Sequence, residues 1–157
     1  MYQHILLPTD GSELSKMAIY QGVALAKALG ARVTILTVTT PFHVLSSDPA
    51  LIEETDQYRK RNETIAGQHL EVAKKIAVAA GVPCDTVHVE HEHPYQAIIK
   101  TAENRGCDAI HMASHGRHGI SAIVLGSETL KVLTHSAIPV IVCRQPRARI
   151  ADLLTAS

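Results

Sequence analysis

The stretch of this sequence richest in chemical possibility is ASHGRHGISAIVLGSE, residues 113–128. It begins where an apolar run ends and finishes where a helical pattern starts. Gly116 and Gly119 can take positive φ and let a ligand approach the backbone closely. Gly126 precedes a helix start, which leaves the amides of Ser127, Glu128 and Thr129 pointing outward without helical partners. Such N–H groups, together with the helix dipole, favour an anion and suit a phosphate. Ser127 adds a hydroxyl, as helix cap or as phosphate donor. The plainer alternative is a turn-rich loop whose serine only caps a helix. The segment is not a Walker A loop, since no GK[ST] occurs anywhere in the chain, and it is not a GxGxxG fingerprint. Without a P-loop lysine there is no strong electrostatic activator of γ-phosphate transfer, so the chemistry points to binding over fast hydrolysis.

Other residue types able to do chemistry are less well arranged. His91 and His93 would share a strand face, and His115 and His118 lie on the glycine loop, so two pairs could in principle make a zinc site. Pro94 interrupts the first pair, no cysteine has ligand spacing, and the pairs sit on different loops; solvated or capping histidines are the simpler reading. His115 is also a candidate phosphate contact. Ser12, Ser114 and Ser127 lack a GxSxG elbow, which argues against a hydrolase triad. Asp10 follows an apolar run as a phospho-acceptor would, but the acidic pair and the lysine of a receiver domain are missing. A flavin site would want aromatic stackers, and only Phe42 is near a suitable loop.

The elements that must position these residues alternate. Residues 4–8 (HILLP) form a short buried strand by length and flanks. Ser12 can cap a helix to Leu29, with Leu14, Ala18, Gly22, Leu25 and Leu29 on one face and Gly30 as its stop. Residues 32–38 are rich in β-branched types and read as a second strand. After a polar loop, a long helix is expected from Pro49 to Ala80, stopped by Gly81 and Pro83. Its second half would bury Ile65, Val72, Ala73, Ile76 and Ala80; its charged first half, EETDQYRKRNE, would project or lie solvated. A strand at 86–89, a helix from Pro94 to near Gly106, a strand at 109–114, a helix at 127–135 and a strand at 140–143 complete the pattern. Five strands alternating with helices predict an α/β fold, a doubly wound five-stranded parallel sheet with helices on both faces, Rossmann-like in layout. Ligands bind such sheets beyond the carboxyl ends of the strands, where the strand order reverses. The segments there are PTDGS after the first strand, TTP after the second, and the glycine loop after the fourth.

Composition narrows the function further. Of 157 residues, Lys+Arg and Asp+Glu number 15 each, so no broad basic field invites nucleic acid or an anionic membrane. With no Trp, one Phe and four Tyr, a base-stacking platform for single strands is not expected. Cys84, Cys107 and Cys143 are far apart and each adjoins a strand, which suits buried hydrophobes in a reducing compartment. No signal-peptide pattern opens the chain and no run approaches the ~20 apolar residues of a membrane span, so a cytoplasmic protein is expected.

The glycine loop resembles the nucleotide loop of the universal stress protein family, G-2x-G-9x-G-[ST]. Gly116 matches its second glycine, nine residues follow, and Gly126-Ser127 closes it; Ala113 stands in place of the first glycine. The opening ILLPTDGSE and the SAIPVIVCR near the end are also similar to this family. The resemblance covers residues 1–144, one domain, and leaves a tail at 145–157. It implies ATP, with magnesium, as ligand: Pro8, Asp10 and Val38 at the adenosine end, and Met112, Ala113, Gly116, Gly126, Ser127 and Glu128 at the loop and phosphate end. Asp10 would accept hydrogen bonds from ribose or base; its alternative role is to bond the turn backbone of TDGS. The Ala113 methyl is expected to crowd the ligand or to resist positive φ. The output implied is a nucleotide-dependent conformation or choice of regulatory protein partner, with at most slow hydrolysis. The alternative is a nucleotide-free interaction module on the same fold. Four apolar residues in the last strand, 140–143, are too many for a solvated edge, so a homodimer paired through that strand is expected. The rival there is a strand buried inside one chain beneath the tail.

Overall fold

The computed structural model describes residues 1–42, 47–116 and 125–144. Gly119 and His118 of the glycine loop, and the tail at 145–157, lie outside the described residues. The element order is β1(His4–Pro8), α1(Glu13–Leu29), β2(Arg32–Thr39), α2(Pro49–Ala79), β3(Cys84–Glu90), α3(Pro94–Asn104), β4(Ala109–Ala113), α4(Ser127–His135), β5(Val140–Cys143). The strands form one parallel sheet in the order β3-β2-β1-β4-β5. The order turns back between β1 and β4, and β3 and β5 are its edges.

Both faces of the sheet are covered, which is why the strands read as apolar runs without alternation. Ile5 and Leu7 point toward α1 and α2, packing with Ile19, Val23, Leu70 and Ala73. Leu6 points the other way and packs with Leu36, Ile98, Ile110 and Val132 under α3 and α4. Leu6 is fully buried, and truncating a core leucine to alanine typically costs about 2–5 kcal/mol. Two histidines are also enclosed. His4 Nε2 lies 2.8 Å from Thr34 Oγ1, while His111, on β4, faces α1 at Gly22.

Local signals account for the helix ends. The Ser12 hydroxyl accepts the Ser15 N–H, and Gly30, at φ 66°, ends α1. Asp48 caps α2 by accepting the Ala50 N–H, with Pro49 in the first turn. Two buried faces differ from expectation. In α1 the stripe is Ser15, Ala18, Ile19, Gly22, Val23 and Ala26, rotated off the leucines, which flank it half-buried because long side chains reach back to the sheet from the side. In α2 the buried residues are Ala66, Leu70, Ala73 and Ala77. Ile65 and Val72 are exposed instead, because the small residues allow the helix to lie close on the sheet. The charged first half of α2 does not simply project: Leu51, Thr55, Tyr58 and Asn62 form a half-buried stripe along it.

Register explains where the sheet opens. β1 pairs with β2 over its whole length, from His4–Arg32 to Pro8–Leu36. With β4 it pairs only at Ile5–Ala109 and Leu6–Ile110. Pro8 has no N–H to offer a neighbour, and beyond Leu6 the two strands part. That parting lies at the reversal of strand order, at the carboxyl end of the sheet.

Candidate functional site

The turn after β1 is built by its own side chains. Thr9 N–H donates to the Leu36 carbonyl at 2.8 Å, continuing the ladder one residue past the strand. Ser12 N–H donates to Asp10 Oδ1 at 2.9 Å, and Gly11 N–H donates to Thr9 Oγ1 at 3.2 Å. Asp10 therefore holds the turn backbone, the simpler of its two expected roles. Its other oxygen, Oδ2, faces Gly116, where a Cβ would collide with it. The carboxylate thus sits between the β1 turn and the glycine loop. Across Gly11, at φ 78°, lies the imidazole of His69 from α2, so close that a Cβ there would strike the ring.

The turn after β4 meets it. Ser114 N–H donates to the Cys143 carbonyl and Gly126 N–H to the Ser114 carbonyl, both at 2.8 Å. Thr129 Oγ1 donates to the Ala113 carbonyl at 2.9 Å, fixing the start of α4 against the end of β4. Gly126, which has no side chain to bond with, is the N-cap of α4, so Ser127 is the first helical residue and, of its two expected roles, that of helix cap is not met. The expected positive φ is also absent at Gly116, and Gly126 has φ −62°. What these glycines supply is room: a Cβ on Gly126 would lie 3.0 Å from His115 Cα. Ala113 needs no special φ either. It is the last residue of β4, and its side chain packs with Ala18 and Cys143 on the α1 face.

A cavity of about 510 Å³ lies between these turns, within the usual ~300–1,000 Å³ of small-molecule sites. Pro8, Asp10 and Val38 line it on the β1–β2 side; Met112, Ala113 and Gly116 line it from β4, and Gly126, Ser127 and Glu128 from the start of α4. Every residue singled out in the sequence for this site thus borders one space. His115 borders it as well. Glu128 faces two ways: its Oε2 accepts the Tyr95 N–H at 2.8 Å, in the first turn of α3, and its Oε1 lies 3.4 Å from Lys131 Nζ. It joins the starts of α3 and α4. None of the described lining residues is Lys or Arg.

Reading the sequence missed the contribution of α2. Tyr58, Asn62, Ile65, Ala66 and His69 line the cavity at helical spacing. The signal for Tyr58, Asn62 and His69 was polar residues at helical spacing, invisible to an apolar count, while Ile65, expected in the core, borders the cavity instead. Of the two histidine pairs expected from the sequence, only His91 and His93 are both described. His91 and His93 rings stand 6.1 Å apart, His115 is in the cavity, and His118 lies outside the described residues. Among the described residues no group of three or more His, Cys, Asp or Glu is placed to hold a metal, and no helix is long and apolar enough to cross a membrane. Cys107 and Cys143 are buried and Cys84 half-buried; burial pushes the Cys107 thiol up to about 11, which keeps it protonated and inert.

Fold and cleft together define a doubly wound α/β protein with a ligand crevice at the strand-order reversal. The universal stress protein family model matches residues 1–144, and the chain belongs to that family. It is 31% identical over 149 residues to the universal stress protein YxiE of Bacillus subtilis, covering 92% of this chain and all of that one. A solved Methanocaldococcus jannaschii protein, whose biochemical function was assigned from its structure, is similar at TM-score 0.80 and 29% identity, with 94% of this chain and 99% of that chain covered. A universal stress protein solved in complex with cAMP shares the fold at TM-score 0.69 and 23% identity, over 92% of this chain and 98% of that chain.

Proposed function

We propose that this protein binds an adenine nucleotide, ATP in the first place, in the cleft between the β1 and β4 turns, and acts as a nucleotide-dependent regulatory protein of the cytoplasm. The observation that carries the reading is the start of α4. Its N-cap is Gly126, with no side-chain cap bond among the described residues, and Gly126 and Ser127 border the cavity, which would give a phosphate chain the amides and dipole it needs. Asp10 stands across from them beside Gly116. With no Lys or Arg among the described lining residues, the phosphate charge would be met by amides, hydroxyls and a magnesium ion carried in with the nucleotide. With no lysine among the described lining residues to activate phosphoryl transfer, hydrolysis would be slow.

Thermal unfolding with millimolar Mg-ATP and Mg-GTP tests this. A ligand at 100 times its dissociation constant adds about 2.7 kcal/mol, and ATP should raise the midpoint more than GTP. A flat response, with no nucleotide carried through purification, would favour a nucleotide-free interaction module instead.

The regulatory unit in this reading is a homodimer paired antiparallel through β5. That strand is an edge of the sheet, its residues are apolar and three of the four are only half-buried, and a bare apolar edge invites a second chain. Val142→Pro removes one ladder donor. Light scattering should find a dimer for the parent and a monomer for the variant, with helical circular dichroism unchanged. A parent that is monomeric at tens of micromolar rules the dimer out.

A further inference from the structure

We propose that the phosphate charge is met in part by protons, taken up on the imidazoles of His69 and His115 as the nucleotide binds, so that affinity is tied to pH; this rests on the nucleotide reading above.

The charges around the cavity carry the inference. Among its described lining residues two bear carboxylates, Asp10 and Glu128, and none is Lys or Arg. The lining groups able to become cations are His69 and His115. A triphosphate, negative even with magnesium bound, would meet like charge in a cleft where charges act on one another more strongly than in open water. Amides at the start of α4 donate hydrogen bonds and a partial charge, but no whole one. A further cation has to form in place, and imidazole is the side chain that gains a charge between about pH 5 and 8.

The two rings come from different elements. His69 belongs to α2, and its Nε2 edge lies against Gly11 in the β1 turn, next to Asp10 in the chain. His115 follows β4. Its Nδ1 is 3.2 Å from Ser114 Oγ, and its Cα lies 3.0 Å from where a Cβ on Gly126 would be, beside the N-cap of α4. One imidazole thus adjoins the turn that carries Asp10, and the other adjoins the start of α4. The other titratable groups bordering the same space are Asp10 from the β1 turn, Tyr58 from α2 and Glu128 from α4. Both carboxylates already bond backbone amides, Asp10 that of Ser12 and Glu128 that of Tyr95. The groups whose charge can follow the ligand are the imidazoles.

The sign follows from charge. A phosphate beside an imidazole favours the protonated ring and raises its pKa in the complex. Protons are therefore taken up on binding. Affinity is fully enhanced below the value of the unliganded ring, and the enhancement is lost as pH rises through the value in the complex.

The test is isothermal titration with Mg-ATP in buffers of different ionisation enthalpy, which counts the protons exchanged. For one imidazole of ordinary value raised by one unit, the parent should take up about half a proton at about pH 7. Its ATP affinity should be about fivefold weaker at pH 8 than at pH 6. His69→Gln and His115→Asn put neutral side chains of similar reach in place of the rings. Each should remove part of the uptake and of the pH slope, and the double variant should remove both. The double variant also serves as the baseline, because protons exchanged by the nucleotide itself remain in it. His93→Asn, outside the cavity, should behave as the parent. If the parent binds ATP with no proton uptake, or if the double variant keeps the parent's uptake and slope, the charge is met by other groups; the inference is then wrong while nucleotide binding stands. If the parent binds no nucleotide, both fall together. Circular dichroism checks that each variant keeps its helices, and the parent's own proton count decides even where a variant fails to fold.

Discussion

Gly30 and Gly81 follow helices at the amino end of the sheet, with φ of 66° and 72°, and a Cβ on either would meet nothing within 4 Å. Gly116 and Gly126 stand at the carboxyl end, neither of them at positive φ; a Cβ on Gly116 would collide with Asp10, and one on Gly126 would press on His115, 3.0 Å from its Cα. The same residue type thus answers two different demands. At the amino end the backbone must turn left-handed to stop a helix and carry the chain into the next strand. At Gly116 and Gly126 the backbone has no positive φ, and the demand is for the room that Asp10 and His115 take up beside it. The first kind of glycine supports a left-handed turn; the second kind lets Asp10 and His115 lie against the backbone. The difference matters because a motif pattern records only that glycine is present.

Substitution can break this contrast, and the largest effect is expected at Gly126. Gly126→Val should lower nucleotide affinity by about tenfold or more, since hydrogen bonds to charged groups are worth about 1.5–3 kcal/mol each and the side chain would hold the phosphate away. The valine backbone can adopt φ −62°, the value found there, so the far-ultraviolet spectrum should stay that of the parent. Titration with ATP decides; undiminished affinity puts the phosphates somewhere else. Gly30→Ala should do the reverse. A left-handed alanine costs about 1–2 kcal/mol, a fall in melting midpoint of roughly 2–8 °C, with ATP affinity unchanged. Should Gly30→Ala instead weaken ATP at constant stability, the two ends are not independent.

A smaller effect separates core from cleft by pH. Burial pushes the imidazoles of His111 and His4 down from their ordinary value, with the Arg32 charge adding to the effect at His4. Both are therefore neutral in the folded chain at neutral pH and bind a proton more readily when unfolded. Their contribution to stability is complete above about pH 6.5, the free imidazole value, and is lost as pH falls through the folded values. Melting midpoints from pH 8 to 5 should decline below that point. His111→Leu should flatten part of the decline; an unchanged slope would mean that His111 finds a partner once charged. Its Nδ1 is buried without one in the neutral fold.

How far the sequence could be read depended on which signals are local. The bounds of α4 and β5 follow from Gly126, the Ile138-Pro139 turn and a run of four apolar residues, and they fall where expected. The buried stripe of α1 lies one position away from its leucines, because the length of a leucine is not its burial. The strand ends that surround the cleft were readable, since each is followed by turn residues. The part played by α2 was not. Tyr58, Asn62 and His69 look like three polar residues on a charged helix, and only the packing of that helix across the strand ends makes them cavity walls. Nor could composition say that Gly116 faces a carboxylate; that relation spans the chain from Asp10.

The brief pairing of β1 with β4 bears on how a ligand would enter. Because the two strands are laddered only at Ile5–Ala109 and Leu6–Ile110, their separation above that point is a property of the folded backbone. The loss of chain freedom that forming a crevice demands has already occurred during folding. Association would then lose mainly the ligand's own translational and rotational freedom, the condition under which a few well-placed groups suffice for useful affinity.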